Sequence, residues 1–288
     1  QSDLLVQNTL SDILFGGSHR TVPESGGGWS WTDLRRMNTL LEYADMCEDK
    51  EAVTKYTAVT RFFRAFFYFE KVKRFGDVPW YDIQLGSADE ALYKPRDSRE
   101  LILTKMLEDI DYAINSGGLT ESAADPYHVN KWAALALKAQ FCLYEGTWRK
   151  YHGLDGSEEW LRACVAASEE LMGDSPYSLV STAGEETTNY SKVFKSEEPQ
   201  YTEVILANEF NATLNRFHDA SWYYASGSYG QRNSGPKAFV NMYLNLDGTR
   251  FTDKDGYNKT QFKDEFAGRD YRLRQTFITP YYVKKVGG

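Results

Sequence analysis

Trp222, Tyr223 and Tyr224, followed by Gly227, Tyr229 and Gly230, fall in a stretch from Asn211 to Pro236 that is rich in Ser, Gly, Asn and Tyr and has no helical period. Flat rings on an irregular segment make a stacking surface with polar edges. Asn211, Asn215, Arg216, Asp219, Arg232 and Asn233 add amide, carboxylate and guanidinium groups in the same stretch. A sugar uses both features: its face of C–H bonds lies on a ring, and its hydroxyls need donors and acceptors close by. The plain alternative is that Trp222 and Tyr224 pin a long loop onto a scaffold, and the sequence leaves that open.

Other chemistry is poorly represented. The four histidines, His19, His128, His152 and His218, are scattered and form no His-x-x-x-His pair. There is no Gly-x-Ser-x-Gly turn, no Gly-x-x-x-x-Gly-Lys phosphate loop and no Cys-x-x-Cys. Two suitably spaced carboxylates can hydrolyse a glycosidic bond, but nothing singles out such a pair, so no enzymatic activity is expected. The run from Asp253 to Asn258 has calcium-loop residue types, but its glycine is misplaced and no Glu closes it, so a polar turn is expected. No metal and no other cofactor is expected. Cys47, Cys142 and Cys164 all lie in helical patterns, and their odd number reads as buried free thiols. A net charge of −8 with a pI near 5.2 argues against nucleic acid as a partner.

The rings need a scaffold, and the pattern for most of the chain is helical. The strongest segment runs from Tyr56 to Trp80. Phe62, Ala65, Phe66, Phe69 and Val72 share one helix face, and Phe63, Phe67 and Tyr68 widen it, so burial on more than one side is expected. Gly76 suits a left-handed C-terminal cap, Pro79 stops continuation, and Asp77 is placed to pair with Arg74 or to bond the turn's own N–H groups. A preceding helix spans about Thr32 to Asp49, after the loop Gly16–Ser30, and residues 1–15 carry a short helical pattern. Asp97 with Glu100 forms a capping box for the next helix, which ends at Gly117-Gly118. Asn130 to Gly146 is helical with small alanines on one face, and Ser157 caps a further helix. Trp31, Trp80, Trp132 and Trp160 belong to these patterns and are expected in the core. After Val180 the character changes: Glu203–Ala207 reads as one extended segment, Lys237–Leu246 as a helix and Asp247–Phe251 as a turn. Consecutive helix hairpins of this size look like a tetratricopeptide-like array, without a strict consensus.

Several of these motifs carry a family resemblance. Arg64-Ala65, Tyr68-Phe69 and Phe75-Gly76-Asp77-Val78-Pro79 resemble the helix and turn shared by the SusD/RagB family of surface lipoproteins. Trp31-x-x-Leu34 with Asn38, the acidic helix Leu107–Ile114 and the hairpin from Asn130 to Trp148 are similar to the family's corresponding parts. Gly268–Leu273 resembles the family's Arg-Asp-Pro-Arg segment, with Tyr271 standing where Pro is common.

The resemblance implies a mainly α fold of tetratricopeptide-like helical hairpins with long irregular loops, a SusD-like α-α superhelix. It implies one SusD-like domain over residues 1–288, with a helical scaffold at 1–180 and a loop-rich ligand-binding part at 181–288. It also implies a longer mature protein, truncated here at both ends, whose N-terminal lipid anchor on the outer membrane is not in this chain. The implied function is cell-surface capture of an oligosaccharide or polysaccharide and its delivery to a SusC-like TonB-dependent transporter. By the same resemblance Arg20 and Trp29 face the ligand together with Trp222, Tyr223, Tyr224, Tyr229, Arg232 and Asn233. The competing expectation is a helical-repeat adaptor for a peptide or protein. A helical glycosidase fragment is the more distant one.

Overall fold

Helices are built where apolar residues recur at helical spacing, and the computed structural model describes residues 4–7, 24, 26–226, 228, 230, 233–280 and 282. They fall into two compact units. The larger comprises Ser25–Ser178 with Val204–Ala207, and the smaller comprises Gln1–Glu24, Leu179–Glu203 and Asn208–Gly288. Among the described residues there is no β-strand, only isolated bridges such as Val6 with Ser234. No described helix is long and apolar enough to cross a membrane. The mainly α architecture agrees with the sequence.

The larger unit contains α1 (Thr32–Tyr43), α2 (Lys50–Phe75), α3 (Arg99–Asn115), α4 (Lys131–His152) and α5 (Ser157–Asp174), each packed on the next. Asp49 caps α2 by accepting from Ala52 N–H, so α2 begins earlier than the Phe-rich run suggests, and α1 is correspondingly shorter. Phe62, Ala65, Tyr68, Phe69 and Val72 enter the core beside Ile102, Met106, Ile110, Leu135 and Phe141. Burying each large side chain contributes about 1.5–3 kcal/mol. Phe63 and Phe66 stay 43% exposed, so α2 is covered less completely than its composition implied. Where α4 meets α5, a Cβ on Gly146 would lie 2.7 Å from Leu161 Cγ, which is why the helices approach closely there.

Two expected caps are corrected. Ser98, not Asp97, caps α3, its Oγ accepting from Leu101 N–H. Asp97 is occupied elsewhere, accepting from Trp80 N–H and from Lys94 Nζ, both at 2.7 Å. At α5 the cap is Gly156 in the left-handed region, while Ser157 Oγ donates to Gly146 O. Asp77 accepts from Arg99 N–H instead of pairing with Arg74. Cys142 is buried, but Cys47 is exposed and Cys164 only half-buried, because the end of α1 is open to solvent.

The smaller unit has short helices: α6 (Asn189–Lys195), α7 (Ala220–Ala225), α8 (Lys237–Met242) and α9 (Tyr271–Thr276). Its core is Val240, Phe266 and Leu273, with Tyr243 and Phe277 packed on it. α7 interrupts a stretch expected to be wholly irregular, and α8 ends four residues before Leu246. Tyr271 is the first residue of α9, a position where proline is also well tolerated, so the tyrosine keeps the turn's geometry. Glu203–Ala207 forms no strand. Ala207 N–H donates to Pro126 O, and Ile205 packs on the core of the larger unit.

Candidate functional site

The best-formed concavity lies wholly in the larger unit, where the start of α1 meets the connector between α2 and α3. Three consecutive glycines, Gly26, Gly27 and Gly28, have positive φ angles of 74°, 63° and 86°, a backbone that side chains resist. They deliver Trp29 edge-on to Trp31, with ring centroids 5.1 Å apart, and to Phe75 at 4.8 Å. Trp31 in turn meets Tyr81 at 5.7 Å. Lys71 fastens the glycine loop by donating to Gly28 O, and its ammonium lies 4.8 Å from the Phe67 ring centroid and 5.5 Å from that of Trp31. Burial, followed by the neighbouring Arg74 cation, lowers the Lys71 pKa.

A buried polar chain sets the floor. Arg64 makes a bidentate pair with Asp109, at 2.6 and 2.7 Å, and donates to Asn38 Oδ1 at 3.2 Å. Asn38 Nδ2 then donates to Tyr81 O at 2.8 Å and Ile83 O at 3.1 Å, holding the connector against α1. Tyr68 stacks on Trp80 at 4.3 Å, and its hydroxyl accepts from Tyr81 N–H. Burial pushes the Tyr68 hydroxyl pKa well up, so it stays protonated. The result is a cavity of about 410 Å³ walled by Trp29, Trp31, Tyr81 and Leu85, with Arg35 and Arg96 among its polar lining. Trp29 is 40% exposed there. Arg96 lies over the Trp29 ring at 5.0 Å, and Lys94 over Tyr81 at 5.1 Å.

Trp222, Tyr223 and Tyr224 belong to the smaller unit and sit together on α7. Trp222 and Tyr224 are 58% and 68% exposed, and Tyr223 meets Tyr224 edge-on at 5.5 Å. Asn233 is half-buried and accepts from Gln7 Nε2 at 3.0 Å, beside the bridge between Val6 and Ser234. Arg20, Tyr229 and Arg232 lie outside the described residues, as does most of the expected 1–15 helix. Trp80 and Trp132 are buried, while Trp31 and Trp160 pack half-buried against the core. Asp253–Asn258 links two short 3-10 turns, Phe251–Asp253 and Tyr257–Lys259.

Tyr81, Lys94, Arg96 and Arg35 were not singled out by sequence, because Asp82–Arg96 reads only as a polar connector. The available signal was Trp29-x-Trp31 followed by Arg35, two rings and a cation within seven residues.

A family model described as "Starch-binding associating with outer membrane", SusD-like, matches residues 3–130. SusD-like protein P25 of Formosa agariphila is 26% identical over 218 residues, which cover 74% of this chain and 36% of the relative. A SusD-like protein of Bacteroides fragilis superposes with a TM-score of 0.63 at 21% identity, over 84% of this chain and 46% of that one. A further solved structure, determined with xylogluco-oligosaccharide, gives a TM-score of 0.53 at 19% identity, over 73% of this chain and 42% of that one. The chain thus spans less than half the length of these relatives.

Proposed function

Because this chain belongs to the SusD-like family, we propose that it binds glycan at the cell surface and passes it, uncleaved, to a SusC-like TonB-dependent transporter of the outer membrane. The observation that carries this is the ring-walled cavity at Trp29, Trp31 and Tyr81, whose volume of about 410 Å³ suits one or two sugar units. The rings give affinity by stacking, and the donors around them give orientation. Trp222, Tyr223 and Tyr224 form a second contact on α7, an exposed aromatic cluster of the kind that marks an interaction site. On the family resemblance, Arg20, Tyr229, Arg232 and Asn233 are further ligand contacts in this reading. A lipid anchor on the full-length protein holds it at the outer membrane.

Isothermal titration of the protein against a panel of purified oligosaccharides tests this, with each mixture checked afterwards for cleavage. Saturable binding without new reducing ends is expected. Trp29→Ala is expected to weaken binding by about tenfold or more, and Trp222→Ala and Tyr224→Ala by several-fold, at stacking energies of roughly 1 kcal/mol per ring. No binding across a broad panel, with co-purification of a transporter, would instead favour a peptide or protein ligand. Release of reducing sugar would overturn the uncleaved transfer.

A further inference from the structure

The charges at the mouth of the cavity are one-sided. Its lining contains Arg35, Lys94 and Arg96 and no Asp or Glu, although acidic residues outnumber basic ones by 41 to 33 in the chain. Lys94 is already answered by Asp97 at 2.7 Å. Arg35 and Arg96 have no carboxylate within ion-pair distance among the described residues. Arg96 is held in place by long bonds to Phe75 O, at 3.5 Å, and Asp77 O, at 3.4 Å, both from Nη1 alone. Its other guanidinium donors remain uncommitted. Past the glycine loop Glu70 is answered by Lys73, Arg74 borders Gly28, and the buried Lys71 bonds a carbonyl instead of a carboxylate. The depression in the smaller unit, about 350 Å³, differs: its one cation, Arg272, is paired with Asp270 at 2.5 Å.

From this we infer that the cavity takes an anionic saccharide, whose carboxylate or sulfate group is received by Arg35 and Arg96 while the sugar ring packs on the aromatic wall. The inference rests on the glycan-binding reading above and narrows it. A guanidinium fork matches carboxylate and sulfate oxygens in a way that it matches no neutral hydroxyl. Trp31, Tyr81 and Leu85 wall the cavity beside the two cations, whose field meets any ligand packed there. A neutral sugar gains nothing from that field, so the arrangement discriminates by charge.

The test is titration of the protein with three oligosaccharides of matched length: neutral galactan, galacturonan carrying carboxylates, and sulfated galactan. At least one acidic ligand is expected to bind about tenfold tighter than the neutral one. That preference is expected to fade between about 0.05 M and about 0.5 M salt. Arg35→Gln and Arg96→Gln are each expected to weaken the acidic ligand about tenfold and the neutral one by clearly less, with Arg35→Lys restoring part. Both side chains are exposed, so an unchanged unfolding midpoint serves as the control for folding. Which acidic ligand responds separates carboxylate from sulfate. Equal binding of neutral and acidic ligands, indifferent to both substitutions, overturns the inference and leaves glycan binding standing. No binding by any of the three overturns both.

Discussion

Both units bury arginine, and Arg64 of the larger and Arg269 of the smaller are satisfied by different means. In the larger unit Arg64 meets the carboxylate of Asp109, which comes from another helix 45 residues away. In the smaller unit Arg269 donates to three backbone carbonyls, Glu265 O and Val240 O at 2.8 Å and Tyr243 O at 2.6 Å, and its guanidinium lies 3.9 Å from the Phe251 ring centroid. Helix length explains the difference. The interior of a 26-residue helix such as α2 has spent its carbonyls on its own hydrogen bonds, so a cation buried beside it needs a side-chain acceptor. A helix of six residues such as α8 spends few carbonyls on its own ladder, so a nearby arginine can use Tyr243 O and share Val240 O with Tyr243 N–H. The larger unit is therefore stapled by charge pairs between long helices, and the smaller one by a cation knotting short helix ends. The rings proposed to meet ligand are split between the units, with Trp29 after a glycine loop that Lys71 holds by a backbone carbonyl and Trp222 and Tyr224 on the short helix α7.

Breaking the larger unit's staple should have the greatest effect. Asp109→Ala strands a buried guanidinium and is expected to cost about 3–5 kcal/mol in urea unfolding. The double change Arg64→Leu with Asp109→Leu should cost less than that single one, and an equal or greater loss would show that the pair contributes more than neutralising itself. Arg269→Met removes all three carbonyl contacts and should cost roughly 3 kcal/mol. Hydrogen exchange should place that loss in residues 237–277, and equal loosening of α2 and α3 would blur the distinction between the units. Gly118→Ala sharpens the packing side of the comparison. Its Cβ would sit 2.5 Å from Thr54 O, a backbone atom that cannot step aside, so a loss of about 1–3 kcal/mol is expected.

The smallest effect is a pH dependence in the smaller unit. The hydrogen bond donated by Arg272, opposed in part by burial, holds the Asp270 carboxyl below the usual carboxylate range. Its ionised form stabilises the fold at every pH above the unfolded value near 4, and that contribution fades as pH falls through the lower folded value. It should amount to less than about 1 kcal/mol, since Arg272 is largely exposed. Asp270→Asn should flatten this part of the acid unfolding curve, and an unchanged curve would show that the pair adds nothing.

Much of the scaffold was determined by sequence alone, because helical periodicity and helix ends depend on neighbours within a few residues. The buried face of α2 at Phe62, Ala65, Phe69 and Val72, its stop at Gly76 and the helical run from Asn130 are all local, and all are present. The exposure of Trp222 and Tyr224 was left open by sequence, and the fold decided it on a short helix, α7, that the composition did not announce. Tertiary structure decided what depends on chain reversal. Arg64 reads as one more polar position on a cationic helix until Asp109 and Asn38 arrive from two other helices. Asp97 and Ser98 are equally good caps by type, and only the return of Trp80 and Lys94 assigns Asp97 elsewhere. The cavity is the extreme case. Trp29, Tyr81 and Arg96 come from three separate points of the chain, and no spacing rule joins them. A pair potential acts on distance in space, and for residues tens of positions apart that distance exists only once the helices have packed.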